Sequence, residues 1–292
     1  MRALVFLLLA GCLSFHQGPL PDEPTGATFA TVDGVRVRYL DIGTGPAVVL
    51  LHGFGTSYES WGPVIPALAK DHRVLALDLK GFGWTERPEG DYSLPTQAKL
   101  VLDLMTARGI ATAAVVGQSW GGAVTLTVVA AAPERFTRVA IYGGLVFEDQ
   151  ISSFMHWAGM PGVGEAMFWL TWDPAVLEEH VSMAFYDKSL VTSAALDRLE
   201  ANMQRPGATA AAHAVLEKLS VEKLEGQYAT MTQPFLLVWG REDAISPMKY
   251  GERLAHTLPN AKLNIYPRCG HLPQIEAPRS TTDLVAFLED HS

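Results

Sequence analysis

Gly117-Gln118-Ser119-Trp120-Gly121 lies between the apolar run Ala113-Ala114-Val115-Val116 and the stretch Gly122-Ala123-Val124-Thr125-Leu126-Thr127-Val128-Val129. Read in order, these segments are a strand, a tight turn with serine at its tip, and a helix. Such a turn forces the serine backbone into a strained conformation and pushes its hydroxyl outward. Glycines two places to either side let the strand and the helix approach closely enough to close the turn. Ser119 is therefore the candidate nucleophile.

The flanking segments repeat the strand-then-helix pattern. Ala47-Val48-Val49-Leu50-Leu51 is a continuous apolar run, as in a strand covered on both faces, and it ends in His52-Gly53-Phe54-Gly55. A helix is predicted from about Trp61 to Lys70. A second buried strand covers Arg73 to Leu79, with the loop Lys80-Gly81-Phe82-Gly83-Trp84-Thr85 after it. A helix from Leu94 to Arg108 and a strand from Arg138 to Tyr142 complete this half. Upstream, Asp33-Gly34 marks a hairpin within Ala27 to Asp41. There Val35, Val37 and Tyr39 alternate with Arg36, Arg38 and Leu40, which predicts one largely polar face. Buried strands alternating with helices define an α/β class: a mostly parallel central sheet with right-handed crossovers and helices on both faces. Ligands of such sheets bind beyond the carboxyl ends of the strands. His52, the Lys80 loop and Ser119 each follow a strand end and converge on one edge.

The pattern changes over residues 147–231, where helical spacing replaces buried strands. Asp173-Pro174 reads as an N-cap with a first-turn proline, and Leu196, Leu199 and Met203 recur at helical intervals. Phe154, Trp157, Met160, Met167, Phe168, Trp169 and Trp172 gather large apolar groups. This is a helical cap inserted over the sheet edge, and it predicts an apolar substrate group; ordinary core packing is the alternative reading of those side chains. The core, residues 27–146, resumes at 232–292 with strands at Pro234 to Trp239 and Ala261 to Tyr266 and a helix at Pro278 to Asp290.

A serine hydroxyl attacks an acyl carbon near neutral pH only with a base beside it and an anion to orient the base. The strand at Phe235 ends in Gly240-Arg241-Glu242-Asp243, and the strand at Ala261 ends in Arg268-Cys269-Gly270-His271. Both ends fall on the edge that carries Ser119. Asp243 is the candidate acid, with Glu242 beside it and Glu148 or Asp149 after an earlier strand as competitors. His271 is the candidate base; His72, His156, His180, His213 and His256 sit in helical or surface contexts, His16 near the N-terminus and His291 at the end.

These pieces resemble the α/β-hydrolase superfamily over nearly all of the chain after Ala27. The resemblance is carried by His52 to Gly55, Asp78-Leu79-Lys80-Gly81-Phe82-Gly83, Gly117 to Gly121, Trp239 to Asp243 and Gly270-His271, in that order. It implies a catalytic triad of Ser119, Asp243 and His271, and an oxyanion hole built from the backbone N–H groups of Phe54 and Trp120. It also implies that His52 supports its loop and takes no proton. A serine at the tip separates the chain from dehalogenases and epoxide hydrolases of this fold, which use aspartate. The expected activity is hydrolysis of a small or medium, largely apolar carboxylic ester through an acyl-enzyme. A carbon–carbon bond hydrolase acting on vinylogous diketone acids, and a non-catalytic ligand-binding member, are the alternatives. No cofactor and no metal are expected, since no histidine pair has helical ligand spacing and no phosphate-binding fingerprint is complete.

Composition agrees with this class. The chain has 292 residues, 48% of them hydrophobic, and a net charge of −9. That length supports one large domain with an insertion, and the acidic balance argues against nucleic acid as a partner. Residues 1–11 combine a short basic start with a compact apolar run, as in a secretory signal. Leu9-Ala10-Gly11-Cys12 resembles the lipobox of bacterial lipoproteins, which implies acylation of Cys12, a membrane partner and an exported, envelope-anchored protein; an ordinary signal or an uncleaved apolar N-terminus is the alternative. Residues 12–26 then read as a tether. The other cysteine, Cys269, is either a small packed residue or a thiol activated by Arg268.

Overall fold

The computed structural model describes residues 14–164 and 174–290. Its centre is an eight-stranded sheet of β1 (Thr28–Val32), β2 (Val35–Ile42), β3 (Ala47–Leu51), β4 (Arg73–Leu77), β5 (Ala113–Gln118), β6 (Phe136–Tyr142), β7 (Phe235–Gly240) and β8 (Ala261–Tyr266). The spatial order is β1-β2-β4-β3-β5-β6-β7-β8. The hairpin β1–β2 and the β2–β4 pair are antiparallel, and every pair from β4 through β8 is parallel. The α/β architecture with a mostly parallel sheet is thus present.

Strand residues alternate between two cores, as the pleat requires. Val49, Leu51, Val115, Ile141 and Leu237 share one face with residues of α2 (Leu94–Ala107), α3 (Trp120–Ala131) and Leu254. Val48, Leu50, Val116, Ala140 and Val238 share the other with Trp61, Leu68 and Leu284. Leu68 belongs to α1 (Ile65–Leu68), which is shorter than the predicted 61–70 helix. Residues 62–64 form a turn instead, after a 3-10 turn at Tyr58–Trp61, and Pro66 takes a first-turn position of α1, where its missing N–H costs little.

On the polar face of β2, Arg38 is buried and reaches Glu59 at 2.6 Å and Asp78 at 3.4 Å. One further expectation is corrected: residues 14–26 do not form a free tether. Phe15 stacks on Tyr92 with ring centroids 5.7 Å apart, His16 exchanges backbone hydrogen bonds with Arg87, and Leu20 is buried. The segment is a strap laid on the core, with His16 close to both Arg87 and Gly207.

The 147–231 region contributes α4 (Ser153–Ala158), α5 (Pro174–Met183), α6 (Ser193–Gln204), α7 (Ala208–Glu217) and α8 (Glu222–Glu225). Helix α7 sits on the Lys80 loop so closely that a Cβ on Gly81 would meet the Ala211 Cβ at 2.8 Å. Phe154, Trp157 and Met160 face outward, about half exposed, so these three line no interior. Met167, Phe168, Trp169, Trp172 and Asp173 lie outside the described residues, as does Cys12. The chain closes with α9 (Met248–Thr257), α10 (Pro273–Glu276) and α11 (Pro278–Glu289).

Candidate active site

Ser119 sits between β5 and α3 with φ 55° and ψ −124°. This is a left-handed, strained conformation for a residue with a side chain. The turn is held from below. The Ser119 N–H donates to the Tyr142 carbonyl at 2.9 Å, and its carbonyl accepts from Gly122 at 2.8 Å and Leu145 at 2.9 Å. The glycines are required by close approach: a Cβ on Gly117 would strike the Gly121 carbonyl and Thr125, and one on Gly121 would strike the backbone of Leu51 and His52.

Asp243 and His271 come from the ends of β7 and β8, 28 residues apart in the chain. His271 Nδ1 lies 2.9 Å from Asp243 Oδ2 and 3.1 Å from Oδ1. Oδ1 also accepts from the N–H groups of Ile245 at 2.9 Å and Ser246 at 2.7 Å, which fixes the carboxylate plane. An imidazole nitrogen facing a carboxylate is the protonated one, so Nε2 keeps its lone pair. Both side chains are buried. The competing acids are engaged elsewhere. Glu242 accepts from the Cys269 N–H at 3.0 Å, Glu148 accepts from Val221 and Glu222 at 2.7 and 3.0 Å, and Asp149 pairs with Arg253 at 2.9 Å.

Ser119 and His271 make no direct hydrogen bond here; their link runs through Gln118. The Gln118 side-chain amide donates to the His271 carbonyl at 3.2 Å, which ties the residue before the serine to the histidine. Gly143, with φ +50°, fills the space against the pair: a Cβ there would lie 3.0 Å from Asp243 Oδ2 and 3.2 Å from His271 Nδ1. Sequence reading did not single out Gln118 or Gly143 for these contacts. A buried amide within the turn, and a glycine closing β6, were the available signals.

The Phe54 amide is oriented by its own peptide plane. The Gly53 carbonyl accepts from His52 Nδ1 at 2.7 Å and from the Thr56 hydroxyl at 2.9 Å. In a trans peptide the Phe54 N–H then points the opposite way. Gly53 stands against the nucleophile turn, where a Cβ would lie 3.2 Å from the Ser119 Cβ. Trp120 begins α3, so its N–H is among those a helix N-terminus leaves free. His52 Nε2 accepts from the Leu79 N–H at 2.9 Å. Burial pushes the His52 imidazole down to about 4, so it stays neutral and joins the β3 and β4 loops. The rings of Phe54, Phe82 and Trp120 meet edge to face, with Phe82 5.2 Å from each of the others.

The Lys80 loop is held structurally. Lys80 and Gln97 exchange hydrogen bonds at 3.0 and 3.1 Å, and Asp78 accepts from the N–H groups of Tyr58 and Trp84. Cys269 is fully buried. Its thiol is pushed up to about 12 by burial and by the carboxylates of Glu276, Asp243 and Glu242, so the activated-thiol alternative is set aside.

A sequence-family profile described as the alpha/beta hydrolase fold matches residues 46–182 and 169–278. The chain belongs to that family. It is 30% identical over 274 residues to a 2-hydroxy-6-oxo-6-phenylhexa-2,4-dienoate hydrolase of Burkholderia cepacia, covering 87% of this chain and 93% of that one. It is 32% identical over 276 residues to the dihydrolipoyllysine-residue acetyltransferase component of an acetoin cleaving system of Cupriavidus necator, covering 92% and 70%. Among solved structures, a variant of the meta-cleavage product hydrolase of Pseudomonas fluorescens superposes with a TM-score of 0.76 at 28% identity, over 91% of this chain and 98% of the other.

Proposed function

We propose that this α/β-fold hydrolase cleaves a small or medium, largely apolar carboxylic ester through an acyl-enzyme on Ser119. The observation that carries the reading is the buried Asp243–His271 pair bonded through Nδ1, which leaves Nε2 for the serine proton. As Ser119 Oγ bonds to the carbonyl carbon, His271 takes that proton. The negative oxygen is received by the Phe54 and Trp120 N–H groups, each such donor contributing on the order of 3 kcal/mol. The carbon–oxygen bond breaks, and His271 returns the proton to the departing alcohol. Water, deprotonated in turn by His271, releases the acid and restores Ser119. Asp243 holds the tautomer and stabilises the imidazolium.

An apolar subsite is supported by the cleft where Phe54, Phe82 and Gly83 face Met203, Ala208 and Ala212 of the cap side. The cleft is narrow, with a cavity of about 20 Å³.

The second reading is cleavage of a carbon–carbon bond in a vinylogous diketone acid. It is favoured by the relatives named as hydrolases of 2-hydroxy-6-oxo-dienoates. Such a substrate carries a carboxylate that needs a cationic partner. The two arginines that reach the cleft wall, Arg87 and Arg205, both donate to the Gly83 carbonyl, at 2.7 and 2.9 Å, and Arg205 also stacks on Trp84. Arg87 Nε has no hydrogen-bond partner, so these contacts do not decide between the two readings. A panel of acyl p-nitrophenyl esters and a 2-hydroxy-6-oxo-dienoate, each run with wild type and Ser119→Ala, separates the two. Ester turnover that Ser119→Ala abolishes is expected; dienoate cleavage with inert esters would reverse the order of the readings. We further propose an envelope anchor acylated at Cys12, supported by the Leu9-Ala10-Gly11-Cys12 sequence.

A further inference from the structure

The backbone of His271 is held at both poles by groups outside its own loop. Its carbonyl accepts from Gln118, as described above. Its N–H donates to the carbonyl of Ala184 at 2.7 Å. Ala184 follows α5 and belongs to the cap side, so a cap residue sets one end of the histidine.

Glu276, at the end of α10, joins the same two parts. Its Oε1 accepts from the N–H groups of Tyr186 at 2.8 Å and Asp187 at 2.9 Å. Its Oε2 accepts from the Gly270 N–H at 2.6 Å. One carboxylate thus receives three backbone donors, two from the cap and one from the residue before His271. Bonds to a charged acceptor are stronger and more directional than those between neutral groups. Among the described residues no lysine or arginine pairs with Glu276, so these amides are what the charge is there to hold. The seam has no slack: a Cβ on Gly270 would lie 2.5 Å from the Ala184 carbonyl and 2.9 Å from the Tyr186 nitrogen.

We propose that Glu276 is a positioning residue for His271: its carboxylate clasps Ala184–Asp187 to the histidine loop, so that the imidazole stands in register with Ser119 only when that cap segment is docked. The inference rests on the reading of Ser119 and His271 as nucleophile and base. Cap displacement that admits substrate pulls on Gly270 and His271, and re-docking restores the base, so water is not activated while the cleft stands open.

The test is steady-state kinetics with p-nitrophenyl butyrate on wild type, Glu276→Gln and Ser119→Ala, with thermal melts to count folded protein. Glu276→Gln keeps the shape but turns an NH₂ toward amide donors. The expected result is a fall in kcat of about 10- to 100-fold per folded molecule, the cost of misplacing a catalytic group by an ångström or less, with KM changed by less than about 3-fold. Wild-type kcat in Glu276→Gln, or a loss explained by unfolded protein alone, overturns the clasp. Should Glu276→Gln not fold, Asp187→Pro decides: it deletes one donor at a residue whose φ of −88° approaches that of proline. A lowered kcat there supports the proposal, and an unchanged kcat overturns it. The Ser119→Ala arm separates the two claims. If that variant still turns over, the catalytic reading fails; if it is inert while Glu276→Gln matches wild type, only the clasp fails.

Discussion

His52 shows how a single residue connects burial with site geometry. Its Nδ1 turns the Gly53–Phe54 peptide, and its Nε2 accepts from Leu79, a pair of bonds that only a neutral imidazole makes. In the unfolded chain it titrates near 6.5, and in the fold burial holds it at about 4. Between those values the unfolded state binds a proton that the native state refuses. The stabilising contribution is therefore complete above about pH 6.5 and is lost as pH falls through about 4, on the order of 3 kcal/mol in all. Asp78, raised to about 6 by burial and by Glu59, acts in the opposite direction, its contribution fading as pH rises. The comparison that isolates His52 is urea unfolding of wild type and His52→Gln across this range. The variant is expected to show a shallower acid loss; parallel curves would contradict the assignment. At this scale Ser119, Asp243 and His271 could be singled out from the sequence, because each ends a segment whose apolar run could be read locally. Gln118, Gly143 and Glu276 stayed hidden. Their contacts join positions up to 153 residues apart, and no local pattern encodes a bond that exists only after folding.

At the scale of elements, the buried strands were the most legible parts. Ala47–Leu51 and Phe235–Gly240 carry side chains that pack on both faces, so their apolar runs are unbroken. The helix predicted at 61–70 shrank to Ile65–Leu68, with residues 62–64, Pro63 among them, in a turn. The strap failed for a different reason: proline, glycine and polar residues in Ser14 to Thr25 resemble a linker, yet Phe15 and Leu20 supply enough apolar surface to dock it. Leu20→Ala is expected to destabilise the fold by about 2–3 kcal/mol, the usual cost of emptying a buried leucine site. Chemical denaturation checks this. A change below about 0.5 kcal/mol, typical of exposed positions, would mean that the strap is not held.

For the whole molecule, the docked strap constrains any anchor. Phe15 lies three residue steps beyond Cys12, so at full extension the two are at most about 11 Å apart. An acylated Cys12 would therefore keep the Phe15–Tyr92 contact, and the cap helix that begins beside Gly207, close to the bilayer surface. In cell fractionation Cys12→Ala is expected to leave the membrane fraction; retention of the variant there would end the anchor proposal. At one edge of the sheet Phe54 follows β3, Ser119 and Trp120 follow β5, and Asp243 and His271 follow β7 and β8. The central claim is that this arrangement makes one hydroxyl nucleophilic. A fluorophosphonate probe applied to the folded protein measures it most directly. Stoichiometric labelling of wild type at Ser119, lost in Ser119→Ala and strongly slowed in His271→Ala, is the predicted result; equal labelling of wild type and Ser119→Ala, or none in wild type, would contradict it.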